Sequence, residues 1–192
     1  MSINFDEIID RRGTSCLKYD FAVERGYPKD VLPFWVADMD FRAPVPVIDA
    51  LTARTAHGIF GYTQVKDDYF NVLRDWFRTH HAWTVQRDEL VITPGVVFAI
   101  ATAIRAYTAP NEAVIIQQPV YYPFASMIRQ NGRTLIDSPL RFADGHYSID
   151  FADFEQKIID HKVKLFVLCS PHNPVGRVWT RAELEQLAAI CL

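Results

Sequence analysis

Lys164-Leu165-Phe166-Val167-Leu168-Cys169-Ser170-Pro171-His172-Asn173-Pro174-Val175-Gly176 is the stretch that decides the fold. After Lys164 the run to Cys169 is apolar without alternation, then breaks into a loop built on two prolines. Such a run predicts a strand buried on both faces, the signature of a parallel sheet. Upstream, Thr134-Leu135-Ile136, Ala113-Val114-Ile115-Ile116 and Leu90-Val91-Ile92-Thr93 read as three more short strands. Helical patterns lie between them. Val96 to Tyr107 is almost wholly apolar, Phe124 to Gln130 ends at Gly132, and Asp150 caps a helix holding Phe151, Phe154, Ile158 and Ile159. Asp144-Gly145 makes a turn. Strands separated by helices predict an α/β fold, a three-layer, mostly parallel sheet with right-handed crossovers. Ligands in such folds sit outside the carboxyl ends of the strands.

Towards the N-terminus the pattern loosens. Residues 1–43 read as an irregular arm, in which Phe5, Ile8 and Ile9 suit one or two amphipathic helical turns. Leu32-Pro33-Phe34-Trp35-Val36-Ala37-Asp38-Met39-Asp40-Phe41 is apolar but bounded by prolines, so it reads as extended rather than as a sheet centre. Residues 44–192 form the main body. Pro44 and Pro46 suit a helix start, with Val47, Ile48, Leu51 and Arg54 leading to Gly58 at the C′ position. Tyr69, Val72, Leu73, Trp76, Phe77 and His80 repeat at helical spacing after Gly61-Tyr62-Thr63.

The last helix opens with a capping box, Thr180 paired with Glu183, and runs through Ala182, Leu184, Leu187, Ala188 and Ile190 to Leu192. No Gly, Asn or Pro closes it, and no later segment covers its apolar face. The expectation is a piece of a larger protein, truncated within a helix, with part of its chemistry beyond Leu192.

The 192 residues are 49% hydrophobic and 22% charged, an ordinary globular balance. A net charge of −3 gives no reason to expect nucleic acid or an anionic membrane. No run reaches membrane-spanning length, and Met1-Ser2-Ile3-Asn4-Phe5-Asp6 lacks the basic-then-apolar pattern of a leader. Three scattered cysteines, Cys16, Cys169 and Cys191, suit a reducing cytoplasm better than a disulfide framework.

Three strand-end loops carry unusual chemistry. In Thr93-Pro94-Gly95-Val96-Val97 the amides of Gly95, Val96 and Val97 would point out of a helix N-terminus, where the dipole favours an anion such as phosphate. The competing reading is an ordinary βα turn. In Gln118-Pro119-Val120-Tyr121-Tyr122-Pro123-Phe124 an aromatic ring is set to stack on a planar ligand, or to serve as a core or interface tyrosine. In Ser170-Pro171-His172-Asn173-Pro174-Val175-Gly176 two prolines orient the Asn173 amide as a donor, unless the loop is only a structural turn. His172, His80 and His81 lack metal-ligand spacing and read as non-ligands, and Cys169 reads as packing rather than nucleophile. Neither a G-x-G-x-x-G nor a Walker A sequence is present.

These three loops, in this order, resemble the class I/II aminotransferase-like enzymes that use pyridoxal 5′-phosphate, fold type I. Within them the chain is similar to the MalY/PatB branch, the cystathionine β-lyase type of carbon–sulfur lyase. The matching segments are Leu32 to Phe41, His57-Gly58-Ile59-Phe60-Gly61-Tyr62, Pro94-Gly95-Val96-Val97, Pro119-Val120-Tyr121 and Pro171 to Trp179. The W-V-A-D-M-D-F and P-H-N-P-x-G-R-x-W segments are the specific ones. The resemblance implies that residues 1–43 form an arm closing over the substrate and that 44–192 are the first part of the cofactor-binding large domain. It implies a phosphate turn at Gly95, Val96 and Val97, ring stacking by Tyr121, and a hydrogen bond from Asn173 to the ring oxygen. It implies that Tyr62 reaches the cofactor phosphate of a neighbouring subunit in a homodimer, and that Trp35, Val36 and Ala37 line the substrate entrance.

The family's Schiff-base lysine is not in this chain: Lys18, Lys29, Lys66, Lys157, Lys162 and Lys164 all lie outside a Ser-x-Lys context. The aspartate for the pyridine nitrogen and the arginine for the substrate carboxylate are expected further along. The implied activity is β-elimination from cystathionine or a cysteine S-conjugate, giving thiol, pyruvate and ammonia, with this chain inactive alone. An aminotransferase on the same scaffold and a non-catalytic truncated product remain alternative readings.

Overall fold

Ala113–Ile116 forms β1, and its four side chains alternate between two hydrophobic clusters. Ala113 and Ile115 face one side, with Ile136, Ile149, Phe154, Trp179 and Leu187. Val114 and Ile116 face the other, with Ile104, Val120, Phe124 and Ile128. This period of two is the pleat of a strand, so one short strand organises both cores. Val114, Ile115 and Ile116 are fully buried, each worth about 1.5–3 kcal/mol of apolar burial.

The computed structural model describes residues 4–192; Met1, Ser2 and Ile3, read above as the start of the arm, lie outside them. The chain divides into two units, Met1–Lys66 and Asp67–Leu192.

Among the described residues of the first unit the regular element is α1, Val45–His57. Pro44 precedes it, and Gly58 ends it in the left-handed region at φ 74°, donating its N–H to the Thr55 carbonyl at 3.0 Å. Phe5, Ile8 and Ile9, expected to turn into helix, do not. Their neighbours are drawn elsewhere: Asn4 Oδ1 accepts from the Asp6 amide (3.0 Å), Arg42 grips Glu7 (2.8–3.1 Å), and Phe5 packs edge-on against Phe41 (5.1 Å). A local side-chain acceptor competes with the helix for backbone donors. Leu32 to Phe41 forms neither helix nor strand, as expected.

The second unit begins with α2, Asp67–His81, whose acidic first turn and basic last turn suit the helix dipole. Then come α3 (Val96–Tyr107), β1, α4 (Pro123–Gln130) and β2 (Thr134–Asp137). A hairpin, β3 (Arg141–Ala143) and β4 (His146–Ser148), turns at Asp144-Gly145. It leads to α5 (Phe151–His161), β5 (Leu165–Phe166) and α6 (Arg181–Cys191). Asp150 caps α5 by accepting from the Asp153 amide at 3.3 Å.

The sheet has the order β2–β1–β5, all parallel, with Ala113 opposite Thr134 and Val114 opposite Leu165. Helices α3 and α4 cover one face, and α5 and α6 the other. Two strand expectations are corrected. Leu90–Thr93 is not a strand: no described segment pairs with it, and Val91 is 79% exposed. The strand expected over Lys164–Cys169 shrinks to two half-buried residues, because β5 stands at the sheet edge with β1 alone beside it among the described residues. Lys164 and Val167 still donate to the Ala113 and Ile115 carbonyls, at 2.9 and 3.1 Å.

The apolar face of α6, expected to lie uncovered, is packed: Leu187 is buried among Ile115, Phe154 and Trp179, and Leu184 and Ile190 flank it. The capping box forms as read, Glu183 N donating to Thr180 Oγ1 (3.3 Å) and Thr180 N to Glu183 Oε2 (2.8 Å).

Candidate functional site

The chain leaves β1 for β2 through α4 on one face of the sheet, then returns past β1 to β5 through α5 on the other. The winding therefore reverses between β1 and β5. In a doubly wound sheet that reversal opens a crevice outside the carboxyl ends of the strands. The loops flanking it are 117–122, after β1, and 167–176, after β5.

A side chain joins these loops. His172 Nε2 donates to the Pro119 carbonyl at 3.0 Å. His172 is 1% exposed, with its ring edge-on to Trp179 at 5.4 Å. Its own main chain is pinned as well, His172 N donating to Arg177 O (2.7 Å) and Gly176 N to His172 O (2.8 Å). Trp179 Nε1 donates to the Cys169 carbonyl at 3.0 Å. The Cys169 thiol bridges its own loop, donating to Pro171 O (3.3 Å) and accepting from Asn173 N (3.4 Å). The peptides Gln118–Pro119, Ser170–Pro171 and Asn173–Pro174 are cis.

Tyr121 and Asn173 are thus brought to one edge of the sheet. Tyr121 is half-buried against the face that holds Ile104 and Phe124, with the Phe124 ring edge-on at 5.9 Å. Asn173 is exposed. The Gly95 turn reaches the same edge by the run of α3. The end of that helix is fixed at the amino edge, where Arg133, just before β2, donates from Nε to Thr108 Oγ1 (2.9 Å) and Asn111 N donates to Gly132 O (2.8 Å). Twelve residues of α3 span about 18 Å, so its N-terminus points to the carboxyl edge. Gly95 stands at the N-cap with φ 151° and nothing within 4 Å of where a Cβ would be. No side chain caps the first-turn amides, Val96 and Val97 among them.

Trp35, Val36, Ala37 and Tyr62 lie in the other unit. Trp35 stacks on Tyr27 at 4.5 Å, and Val36 and Ala37 are exposed. Val36 holds φ 62°, an uncommon strain for a β-branched residue. Tyr62 is fully exposed. The acidic pair of the same motif is paired with cations: Arg11 binds both Asp38 and Asp40, Tyr19 donates to Asp40 (3.1 Å), and buried Lys18 donates to the Asp38 carbonyl (3.0 Å). The Arg11 guanidinium holds both carboxyl groups below their usual range.

Sequence reading missed three groups at the carboxyl edge. Gln117 is 2% exposed, and neither atom of its amide has a partner. Asp137 ends β2; burial pushes its pKa up, against the pull of the Gln118 amide at 2.9 Å. His172 carries the link between the loops, and burial pushes its pKa down. A strand-end position was the only available signal for Gln117 and Asp137; the His172 bond spans 53 residues and leaves no local trace.

Residues 29–192 match the family described as Aminotransferase class I and II. The chain belongs to that family. This class I and II aminotransferase family chain is similar to "Cystathionine beta-lyase PatB" of Bacillus subtilis, at 45% identity over 99% of the chain and 49% of the relative. It is similar to "Protein MalY" of Escherichia coli, at 36% identity over 98% of the chain and 48% of the relative. Among solved structures it resembles cystalysin from Treponema denticola, whose crystal structure contains a pyridoxal 5′-phosphate cofactor. That match has TM-score 0.89 and 37% identity, over 99% of this chain and 49% of that one. The family member's architecture is that of fold type I. The chain spans about half the length of the curated relatives it matches.

Proposed function

We propose that this chain carries the cofactor-holding loops of a pyridoxal 5′-phosphate-dependent carbon–sulfur β-lyase. In the whole protein they would serve cleavage of cystathionine or another cysteine S-conjugate to thiol, pyruvate and ammonia. The observation that carries the reading is the joining of two strand-end loops across the β1/β5 crevice by His172 and Pro119. The 45% identity to a cystathionine beta-lyase supports the substrate class.

The donor set fits a flat, phosphorylated ring. The uncapped first turn of α3, opened by a residue without a side chain, offers the amides of Gly95, Val96 and Val97 to a dianion. Half-buried Tyr121 offers a ring face for stacking, and exposed Asn173 an amide donor for a ring oxygen. When bound, the cofactor supplies the electron sink for carbanion chemistry at the substrate α-carbon.

The covalent anchor does not fit the lysines of the second unit. Lys157 is held by Asp153 at 2.9 Å, Lys162 caps the end of α5, and Lys164 immediately precedes β5 at the amino edge. Lys18, Lys29 and Lys66 of the first unit lie outside a Ser-x-Lys context as well, so the isolated chain is assigned a non-covalent hold on the cofactor and no turnover. Trp35, Val36 and Ala37 are assigned to the substrate entrance, and Tyr62 to the cofactor phosphate of a partner subunit in a homodimer. The place of action is assigned to the cytoplasm, where the free thiols of Cys16, Cys169 and Cys191 stay reduced.

The test joins this chain to the part of the Bacillus subtilis relative that lies beyond the match. Supplied with cofactor and cystathionine, the chimera is expected to release pyruvate and homocysteine, while the chain alone releases neither. Amino transfer to an added keto acid without pyruvate would overturn the lyase reading.

A further inference from the structure

We infer that His172 is a positioning residue that sets the spacing between the Tyr121 loop and the Asn173 loop. The inference rests on the proposed role of those two loops. It is carried by four observations. His172 sits one residue before Asn173, and its side chain reaches Pro119, two residues before Tyr121, at 3.0 Å. The imidazole is 1% exposed and wedged edge-on against Trp179, itself 3% exposed. Main-chain bonds to Arg177 and Gly176 fix its backbone. Finally, Nδ1 is buried without a partner.

These facts determine the tautomer. A carbonyl accepts only, so Nε2 carries a proton, while Nδ1 has no acceptor to hold a second one. That lack of an acceptor and the burial of the ring both favour the neutral form. A neutral imidazole with one donor committed is a rigid strut of fixed length. Leucine would fill the space without bridging it. Glutamine can place an amide N–H where Nε2 stands and rebuild the bridge. The unpartnered amide of Gln117, at the end of β1, lies in the same loop that His172 holds.

The experiment uses the full chain with 15N-labelled histidine and pyridoxamine 5′-phosphate, an amine that forms no lysine adduct. In wild type, the His172 ring is expected to show a slowly exchanging Nε2–H and an unprotonated Nδ1. H172L is expected to weaken pyridoxamine 5′-phosphate about tenfold, the worth of one buried hydrogen bond, and H172Q to recover most of that loss. A His172 ring protonated at Nδ1 instead, or H172L with unchanged affinity, overturns the inference. The ring spectrum needs neither ligand nor variant, so it decides the tautomer even if H172L fails to fold. Failure of wild type to bind the phosphate compound, with the Nε2–H tautomer present, would overturn the cofactor reading and leave the strut in place.

Discussion

Arg177 places one guanidinium nitrogen 2.7 and 2.8 Å from the two carboxylate oxygens of Glu183, while its other terminal nitrogen donates to the Tyr147 carbonyl at 2.7 Å. The same guanidinium lies 4.5 Å above the Trp179 ring. One residue just past the Asn173 loop thus ties that loop to β4 and to the N-terminus of α6. Both side chains of the pair are mostly covered, at 26% and 20% exposure. Arg177→Lys keeps the charge but loses the planar fork. It is expected to lower stability by about 1–3 kcal/mol, read as a lower urea midpoint. Burial pushes the Glu183 pKa up, but its bonds to Thr180 and Arg177 win and hold it down. Its contribution is therefore full above the ordinary glutamate value and lost as pH falls through the lowered one.

In the first unit, Arg11 spans 27 and 29 residues to reach Asp38 and Asp40. Arg11→Ala is expected to speed amide exchange across residues 35–41 and to expose that segment to limited proteolysis. Both aspartates have lowered pKa values, chiefly through Arg11. The staple therefore holds above the ordinary aspartate pKa and is lost as pH falls through the lowered values. Exchange measured at neutral pH and again below the aspartate range checks the sign.

Phe154 is fully buried against β1 and meets Phe166 edge-on at 4.8 Å. Phe154→Ala leaves a cavity at the centre of the α5–α6 face. The expected loss is about 3–5 kcal/mol, measured by denaturant titration. The exposed Phe142, in the hairpin, is expected to tolerate alanine with a loss several times smaller.

Local signals were legible and long-range ones were not. The residues of β1 and α3 were readable because an apolar run and a helical repeat are written in consecutive residues. Gly58 and the Thr180–Glu183 box were readable because caps are local chemistry. Leu90–Thr93 looked like a strand by composition, yet a strand exists only with a neighbour to pair with. The shortening of β5 has the same cause. In the site, Tyr121 and Asn173 stood out as strand-end residues of unusual type, and Gly95 as the residue that opens an apolar helix. The partners that position their loops did not, since His172 and Pro119 lie 53 residues apart. The acidic pair of the W-V-A-D-M-D-F segment likewise gave no hint of Arg11.

Gly95 holds φ 151°, a conformation that L side chains rarely adopt. Gly95→Ala is expected to strain the turn and tilt the first amides of α3. Binding of pyridoxamine 5′-phosphate should weaken by about tenfold or more, with a stability loss of about 1–3 kcal/mol. Fluorescence titration and thermal unfolding of the same variant separate the two effects.

The central claim is that loops at the carboxyl edge hold a phosphorylated pyridine without a covalent bond. Calorimetric titration of the folded chain with pyridoxamine 5′-phosphate, against pyridoxamine alone, tests it most directly. The account predicts one site per chain for the phosphate compound, at least tenfold weaker binding without the phosphate, and about a tenfold loss in Tyr121→Ala and in Asn173→Ala. Equal binding of the two compounds, or affinity unchanged by both substitutions, would contradict it.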